Sequence, residues 1–189
     1  MAELIRIKKV KYIKSQEKIK IEYRRKIETH EDDLVGLFSD IATPEFYKAI
    51  EDLNDTASSI CEFTENMKDR LSVYGVTFHY SKDGTMSAML HCKLIIPTSN
   101  QEIKLDTPMR KCPLDENKTD TKEQYLSDIA IQKLWNLEAE TKKYLAGKRA
   151  QGSLFENEKK QEPKTKKTAQ TTPVRAQIIN INEINEIAG

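Results

Sequence analysis

VTFHYSKDGTMSAMLHCKLII, residues 76–96, is the stretch that decides the fold. Val76, Phe78 and Tyr80 alternate with polar neighbours. Asp83-Gly84 supplies residues that tolerate the positive φ of a tight turn. Met86, Ala88, Leu90, Cys92, Leu94 and Ile96 then resume a spacing of two. This predicts an antiparallel hairpin with one buried face. Leu71 and Val73 extend it upstream. Downstream, Pro97-Thr98-Ser99-Asn100 turns the chain, and Ile103, Leu105 and Thr107 form a third short strand before Pro108. The whole reads as a three-strand meander. Pairing Lys82 with Thr85 across the turn sets His91 opposite Val76 and Cys92 opposite Gly75.

The chain opens on a second hairpin. Ile5 and Ile7, then Val10 and Tyr12, keep a spacing of two, with Lys8-Lys9 shifting the phase as a bulge does. Ile19, Ile21 and Tyr23 alternate with Lys18, Lys20, Glu22 and Arg24. Ser15-Gln16-Glu17 joins the two runs, giving a half-solvated antiparallel pair. Between the hairpins the spacing turns helical. Leu34, Leu37, Phe38 and Ile41 fit a short helical turn, and Thr43-Pro44 reads as an N-cap followed by proline at the first helical position. Phe46, Ile50, Leu53, Ala57 and Ile60 form one stripe on a helix reaching Phe63 or Met67. A last helix follows a capping box at Thr121 and Gln124. It runs through Tyr125, Leu126, Ile129, Ala130, Leu134, Leu137, Thr141, Tyr144 and Leu145, and Gly147 stops it.

Residues 1–147 therefore read as an α+β domain, an antiparallel sheet of about five strands (two, then the meander) covered by two main helices. Residues 148–177 read as a flexible linker, since 156–168 carry no aliphatic or aromatic side chain. Residues 178–189 are rich in isoleucine (Ile178, Ile179, Ile181, Ile184, Ile187). The sequence leaves open whether they dock on a partner, dock on their own domain, or fray.

Of the 189 residues, 38% are hydrophobic and 32% charged, which excludes a fibrous chain and suits one domain with a tail. No apolar run is long enough for a membrane span, and the charged start has no signal-peptide character. Three widely spaced cysteines, Cys61, Cys92 and Cys112, suit reduced thiols in a cytosol better than a disulfide framework. The net charge of +1 excludes a globally basic coat, but ten Lys and Arg fall between Arg6 and Lys26 against only Glu17 and Glu22. One reading is solubility and protection of a sheet edge. The other is a nucleic-acid module in which Tyr12 and Tyr23 stack bases while Lys18, Lys20 and Arg24 neutralise phosphates.

No linear signature of an enzyme is present: no phosphate loop, no G-x-S-x-G, no H-E-x-x-H and no C-x-x-C. His91-Cys92, near His79 and Cys112, has metal-ligand residue types, but adjacent strand positions face opposite ways. A buried Cys92 beside a surface His91 is expected, with no metal, no cofactor and no catalytic residue. Glu31-Asp32-Asp33 and Glu51-Asp52 read as exposed acids at helix starts or on helix surfaces.

Directly after the helix stop stands Gln151-Gly152-Ser153-Leu154-Phe155. An exposed Leu-Phe pair in a polar tail leaves roughly 1.5–3 kcal/mol of burial per side chain unused, which a peptide-in-groove contact would recover. The segment resembles the bacterial sliding-clamp-binding motif, Gln-x-Ser/Asp-Leu-Phe. The resemblance implies that Gln151 meets polar groups of one clamp subsite, Ser153 takes the small polar step, and Leu154 and Phe155 fill a greasy cleft. Gly152 departs from the leucine frequent in the motif, which implies affinity in the micromolar range or weaker. The layout through Gly147-Lys148-Arg149-Ala150 also resembles small phage and prophage α+β proteins. That implies a DNA replication or recombination role at the clamp, either as accessory or as inhibitor of a host factor.

Overall fold

The computed structural model describes residues 4–27, 30–82, 84–112, 125–150 and 178–180. The chain runs β1 (Leu4–Ile13), β2 (Lys18–Ile27), β3 (His30–Phe38), α1 (Pro44–Glu51), α2 (Asn54–Ile60), α3 (Glu65–Lys68), β4 (Leu71–Tyr80) and β5 (Met86–Ile95). It continues with β6 (Glu102–Asp106), β7 (Arg110–Lys111), α4 (Asp128–Leu145) and β8 (Ile178–Asn180). The strands form one antiparallel sheet in the order β6-β5-β4-β1-β2-β3-β8, with β7 beside β5. Together with the helices this is an α+β fold. The opening hairpin and the meander both form, and β1 joins them by pairing with β4 at only three positions: Lys9 with Thr77, Val10 with Val76, and Lys11 with Gly75.

Helices α1 and α2 pack on β4, and α4 packs on β1 and α1. They close a core in which Ile7, Val10, Ile19, Ile21, Val76, Phe78 and Leu90 from the sheet meet Phe46, Ile50, Leu53, Leu134, Leu137 and Tyr144. The alternation decides the face: in β5, Met86, Ala88, Leu90 and Cys92 turn inward, and Ser87, Met89, His91 and Lys93 turn the other way. Two bulges shift that phase, between Ile7 and Lys9 in β1 and between Val73 and Gly75 in β4. They put Lys8 and Tyr74 out of the pairing. Helix α4 starts where the Ser127 hydroxyl accepts the Ala130 N–H at 3.3 Å. It stops at Gly147, whose φ of +96° suits a residue without a Cβ.

Several expectations are corrected. Residues 34–41 are not a helical turn; 30–38 form β3, which pairs along its whole length with β2. The helical spacing of Leu34, Leu37 and Phe38 was coincidental, because Leu34 is buried while Leu37 stays exposed. Gly36 has no side chain, and the Phe38 ring folds over it and meets Tyr144 edge-on at 5.6 Å. The acids Glu31, Asp32 and Asp33 accordingly lie on a strand, not at a helix start. The stripe from Phe46 to Ile60 does bury one face, but on two short helices. Asn54 breaks the run, its Oδ1 accepting the Val73 N–H at 2.8 Å and tying the start of α2 to β4. Thr43 stands at the cap position of α1 without a capping bond from its side chain. Helix α4 begins at Asp128; Thr121 and Gln124 fall outside the described residues, and Ile129 is 70% exposed. The β4–β5 turn closes through the Ser81 N–H to the Thr85 carbonyl at 3.0 Å, one position from the expected pairing. His91 therefore faces Gly75, and Cys92 faces Val73.

The isoleucine-rich segment contributes β8, in which Ile178, Ile179 and Asn180 pair with Gly36, Val35 and Leu34 at the β3 edge. No helix among the described residues is long and apolar enough to cross a membrane.

Candidate functional site

The polar face of the sheet divides into two parts. Across β2 and β3, cations and carboxylates meet in register. The Arg24 guanidinium forks onto Asp33, its Nε and Nη2 donating at 2.8 and 3.1 Å. Lys8 reaches the same carboxylate at 2.8 Å. Lys26 pairs with Glu31 and Lys20 with Glu22 on this face, while Arg25 pairs with Asp32 on the other, the side of Tyr23. The bond from Arg24 holds the Asp33 carboxyl down at about 2. The second part is the β1–β4 seam and its continuation over β5 and β6. There Lys9 and Lys11 face Thr77 and Gly75, and neither forms an ion pair among the described residues. Burial, and Lys9 next to it, press the Lys11 ammonium below its ordinary value.

Gly75 makes this arrangement possible. A Cβ there would sit 2.7 Å from Lys11 Cγ and 2.5 Å from the Val10 carbonyl, so the lysine stem lies across the space a side chain would fill. Beside it His91 is buried at 2% exposure, where a surface histidine was expected. Burial is the main force lowering its pKa; Asp106 opposes it and Lys11 and Lys9 add to it, so the ring is neutral near pH 7. The neutral ring donates from Nδ1 to Asp106 Oδ1 at 2.6 Å and accepts the Thr77 hydroxyl at Nε2 at 2.7 Å. Hydroxyl, imidazole and carboxylate follow the order of an activated nucleophile. Here they tie three neighbouring strands together at regular ladder positions, and we read them as a strut. Burial raises all three thiols, Cys92 to about 12, Cys112 to about 11, and Cys61 as well, which favours their protonated, less reactive form. Among the described residues, no three His, Cys, Asp or Glu side chains group as metal ligands.

Because β1 and β4 pair at three positions only, they part at both ends and leave two clefts. One, of about 380 Å³, is lined by Arg6, Lys8, Lys9, Arg24, Thr77 and His79 among others. The second, of about 550 Å³, lies past Lys11 and Gly75, where α1 spans the gap. Tyr12, Tyr47 and Tyr74 line it, with Lys14, Asn54 and Lys93. Tyr12 packs edge-on against Tyr47 at 5.0 Å. Tyr74, out of the pairing at the β4 bulge, holds Lys11 Nζ 5.5 Å and Lys93 Nζ 5.9 Å from its ring centre.

The hairpin residues named from sequence are thus separated. Tyr23 is buried in the core, on the face opposite Lys20 and Arg24, so these three do not share one surface. Lys20 and Arg24 are engaged by acids, and Lys18 stands at the hairpin end opposite Ile13. Tyr12 turns inward with Val10 but reaches the larger cleft. Tyr74, Lys11 and His91 were missed. The signal available was the break in alternation at Tyr74-Gly75, with the glycine beside an aromatic residue.

Gln151, Ser153, Leu154 and Phe155 lie outside the described residues. The chain leading to them is fixed. The Arg149 guanidinium lies 3.7 Å over the Tyr144 ring, its Nε donates to Asp40 at 3.1 Å, and the Ala150 N–H donates to the Ile41 carbonyl at 3.1 Å.

Compared with known proteins, the chain matches no family model, no curated protein and no solved structure.

Proposed function

We propose that this chain is a non-enzymatic accessory protein of phage or mobile-element DNA replication or recombination. It works in the bacterial cytoplasm and is recruited to the sliding clamp through Gln151, Ser153, Leu154 and Phe155. The observation that carries the reading is where the motif stands. Residues 149 and 150 are pinned to α4 and to the segment before α1, and Gln151-Gly152-Ser153-Leu154-Phe155 follows at once. A peptide leaving from a fixed point samples less space than one on a free tail, so docking it costs less entropy. The clamp ring offers several equal grooves, and tethering to such a ring raises the effective concentration of the domain near DNA. The same contact serves an inhibitor that occupies the clamp.

The test is direct binding of the purified full chain to a purified bacterial clamp. Changing Leu154→Ala together with Phe155→Ala is expected to abolish binding and leave the circular dichroism spectrum unaltered. Equal binding by the double variant discards the proposal.

A further inference from the structure

The two clefts lie at the two ends of the β1–β4 pairing, and Lys9 and Lys11 stand on the seam between them. From Lys9 to Lys11 the seam spans three residue pairs, about 7 Å at the rise of an antiparallel strand. At one end Arg6, Lys8, Lys9 and Arg24 line the smaller cleft. In the middle, the Lys11 stem crosses Gly75 toward the Tyr74 ring. At the far end, Tyr12, Tyr47 and Tyr74 line the larger cleft, with Lys14 and Lys93 at its wall. Arg6, Lys9 and Lys11 form no ion pair among the described residues. Arg6 lies 5.0 Å from the Tyr80 ring centre, and Glu22, which lines the smaller cleft, stands across from Lys9, so the cations are offset in part while the rings of the larger cleft keep a face for a flat occupant.

We infer that the β1–β4 seam binds single-stranded nucleic acid, one base entering the cleft between Tyr12, Tyr47 and Tyr74 and the phosphates following Lys14, Lys11 and Lys9 toward Arg6. Aromatic rings beside a row of cations are what sequence-tolerant single-strand binding requires, because every base has a π-face and every linkage a charge. A duplex keeps its bases stacked inward and cannot fill a cleft bounded by three rings. Glu51 and Glu102 also line that cleft. Lys93 already reaches Glu102 at 2.7 Å, which leaves Lys9, Lys11 and Lys14 to favour a polyanion over a cationic peptide. The site is distinct from residues 151–155 and stands or falls independently of the clamp reading.

The experiment is fluorescence anisotropy of a labelled oligothymidylate with the full-length protein over a salt series, beside a duplex of equal length and a basic peptide. Saturable binding that prefers the single strand is expected. Tyr74→Ala should weaken it about tenfold through lost stacking, with an unchanged thermal midpoint. Lys9→Gln and Lys11→Gln should each reduce the slope of log affinity against log salt by about 0.7. Retained binding by the Leu154→Ala, Phe155→Ala double variant supports a site separate from the clamp peptide, and its loss overturns that. Absence of oligothymidylate binding at low salt, equal or tighter binding of the duplex, preference for the basic peptide, or indifference to Tyr74→Ala in a folded variant each overturns the inference.

Discussion

The two sides of strand β1 carry the same kinds of residue to opposite ends. Toward β2 and β3, Arg24, Arg25 and Lys26 stand in register with Asp33, Asp32 and Glu31, and each cation has its carboxylate. Toward β4, Lys9 stands opposite Thr77 and Lys11 opposite Gly75; Glu22 lies across from Lys9 on β2, and Asp106 and Glu22 act on Lys11 from a distance, but neither lysine closes an ion pair among the described residues. Ten basic residues between Arg6 and Lys26 looked like one patch in the sequence. Register divides them into a neutralised half and an unsatisfied half. A local field follows from which residues face each other, and a charge count along the chain does not contain that information.

The hardest way to break the comparison is at Gly75. Gly75→Ala drives a methyl against the Val10 carbonyl and the Lys11 Cα, which are backbone atoms and cannot swing aside. The seam joining the two halves has three pairs to lose. A loss of about 3 kcal/mol is expected, the upper end for overpacking. In thermal unfolding that lowers Tm by roughly 6–12 °C for a chain of this size. Gly36→Ala, where the nearest atoms belong to the movable Phe38 ring, is expected to cost about 1 kcal/mol. Equal losses at the two glycines would mean that the seam is not the tight joint described.

The meander, the opening hairpin and the Lys8-Lys9 bulge were legible, because alternation and turn residues are local signals, whereas the bulge at Tyr74 was not read from the sequence. Strand β3 was not. Its partner is β2, and the match of Asp33 to Arg24 is visible only once those strands are laid side by side. The spacing of Leu34, Leu37 and Phe38 meanwhile imitated a helix. The break between α1 and α2 was hidden because Phe46, Ile50, Leu53 and Ala57 bury the same face through it. His91 was misread as a surface residue for a related reason. Its burial comes from Asp106 on the next strand and from Tyr74 and Lys11 beside it, all non-local. Helix α4 was legible in its body and its glycine stop. Its start was misplaced because a threonine-glutamine pair looked like a cap while Ser127 does the capping.

A second way to separate the halves is by pH. The charged and titratable groups around His91 are Asp106 from β6, Lys9 and Lys11 from β1, and Tyr74 from β4. Because its folded pKa is depressed, the unfolded chain takes up the proton first as pH falls below about 6.5. The stability tied to neutral His91 is thus fully present above that value and is lost as pH falls toward the folded pKa. The slope is at most about 1.4 kcal/mol per pH unit for one proton. Urea unfolding between pH 7.5 and 5 (about one unit either side of the histidine range) should show the loss, and His91→Gln should flatten it. Asp33 acts lower: its stabilisation is present above 3.8 and disappears as pH falls through about 2. A wild-type curve with no slope between pH 6.5 and 5 removes the strut.

The smallest effect on stability sharpens the comparison most. Asp33 holds Arg24 and Lys8, and both of those cations line the smaller cleft of the seam. The carboxylate is about two-fifths exposed, so solvent screens it, and Asp33→Asn should cost no more than about 1 kcal/mol. What changes is the field. One anion is removed, Lys8 is released toward Arg6 and Lys9 while Arg24 keeps only Glu31 at 3.5 Å, and a half that was neutral comes to resemble the seam beside it. If register is what silences the hairpin cations, the variant binds oligothymidylate more tightly than wild type at low salt, and its affinity falls more steeply as salt rises. Binding unaltered by Asp33→Asn, in a protein whose wild type binds the strand, would mean that the smaller cleft takes no phosphate and that contact ends at Lys9.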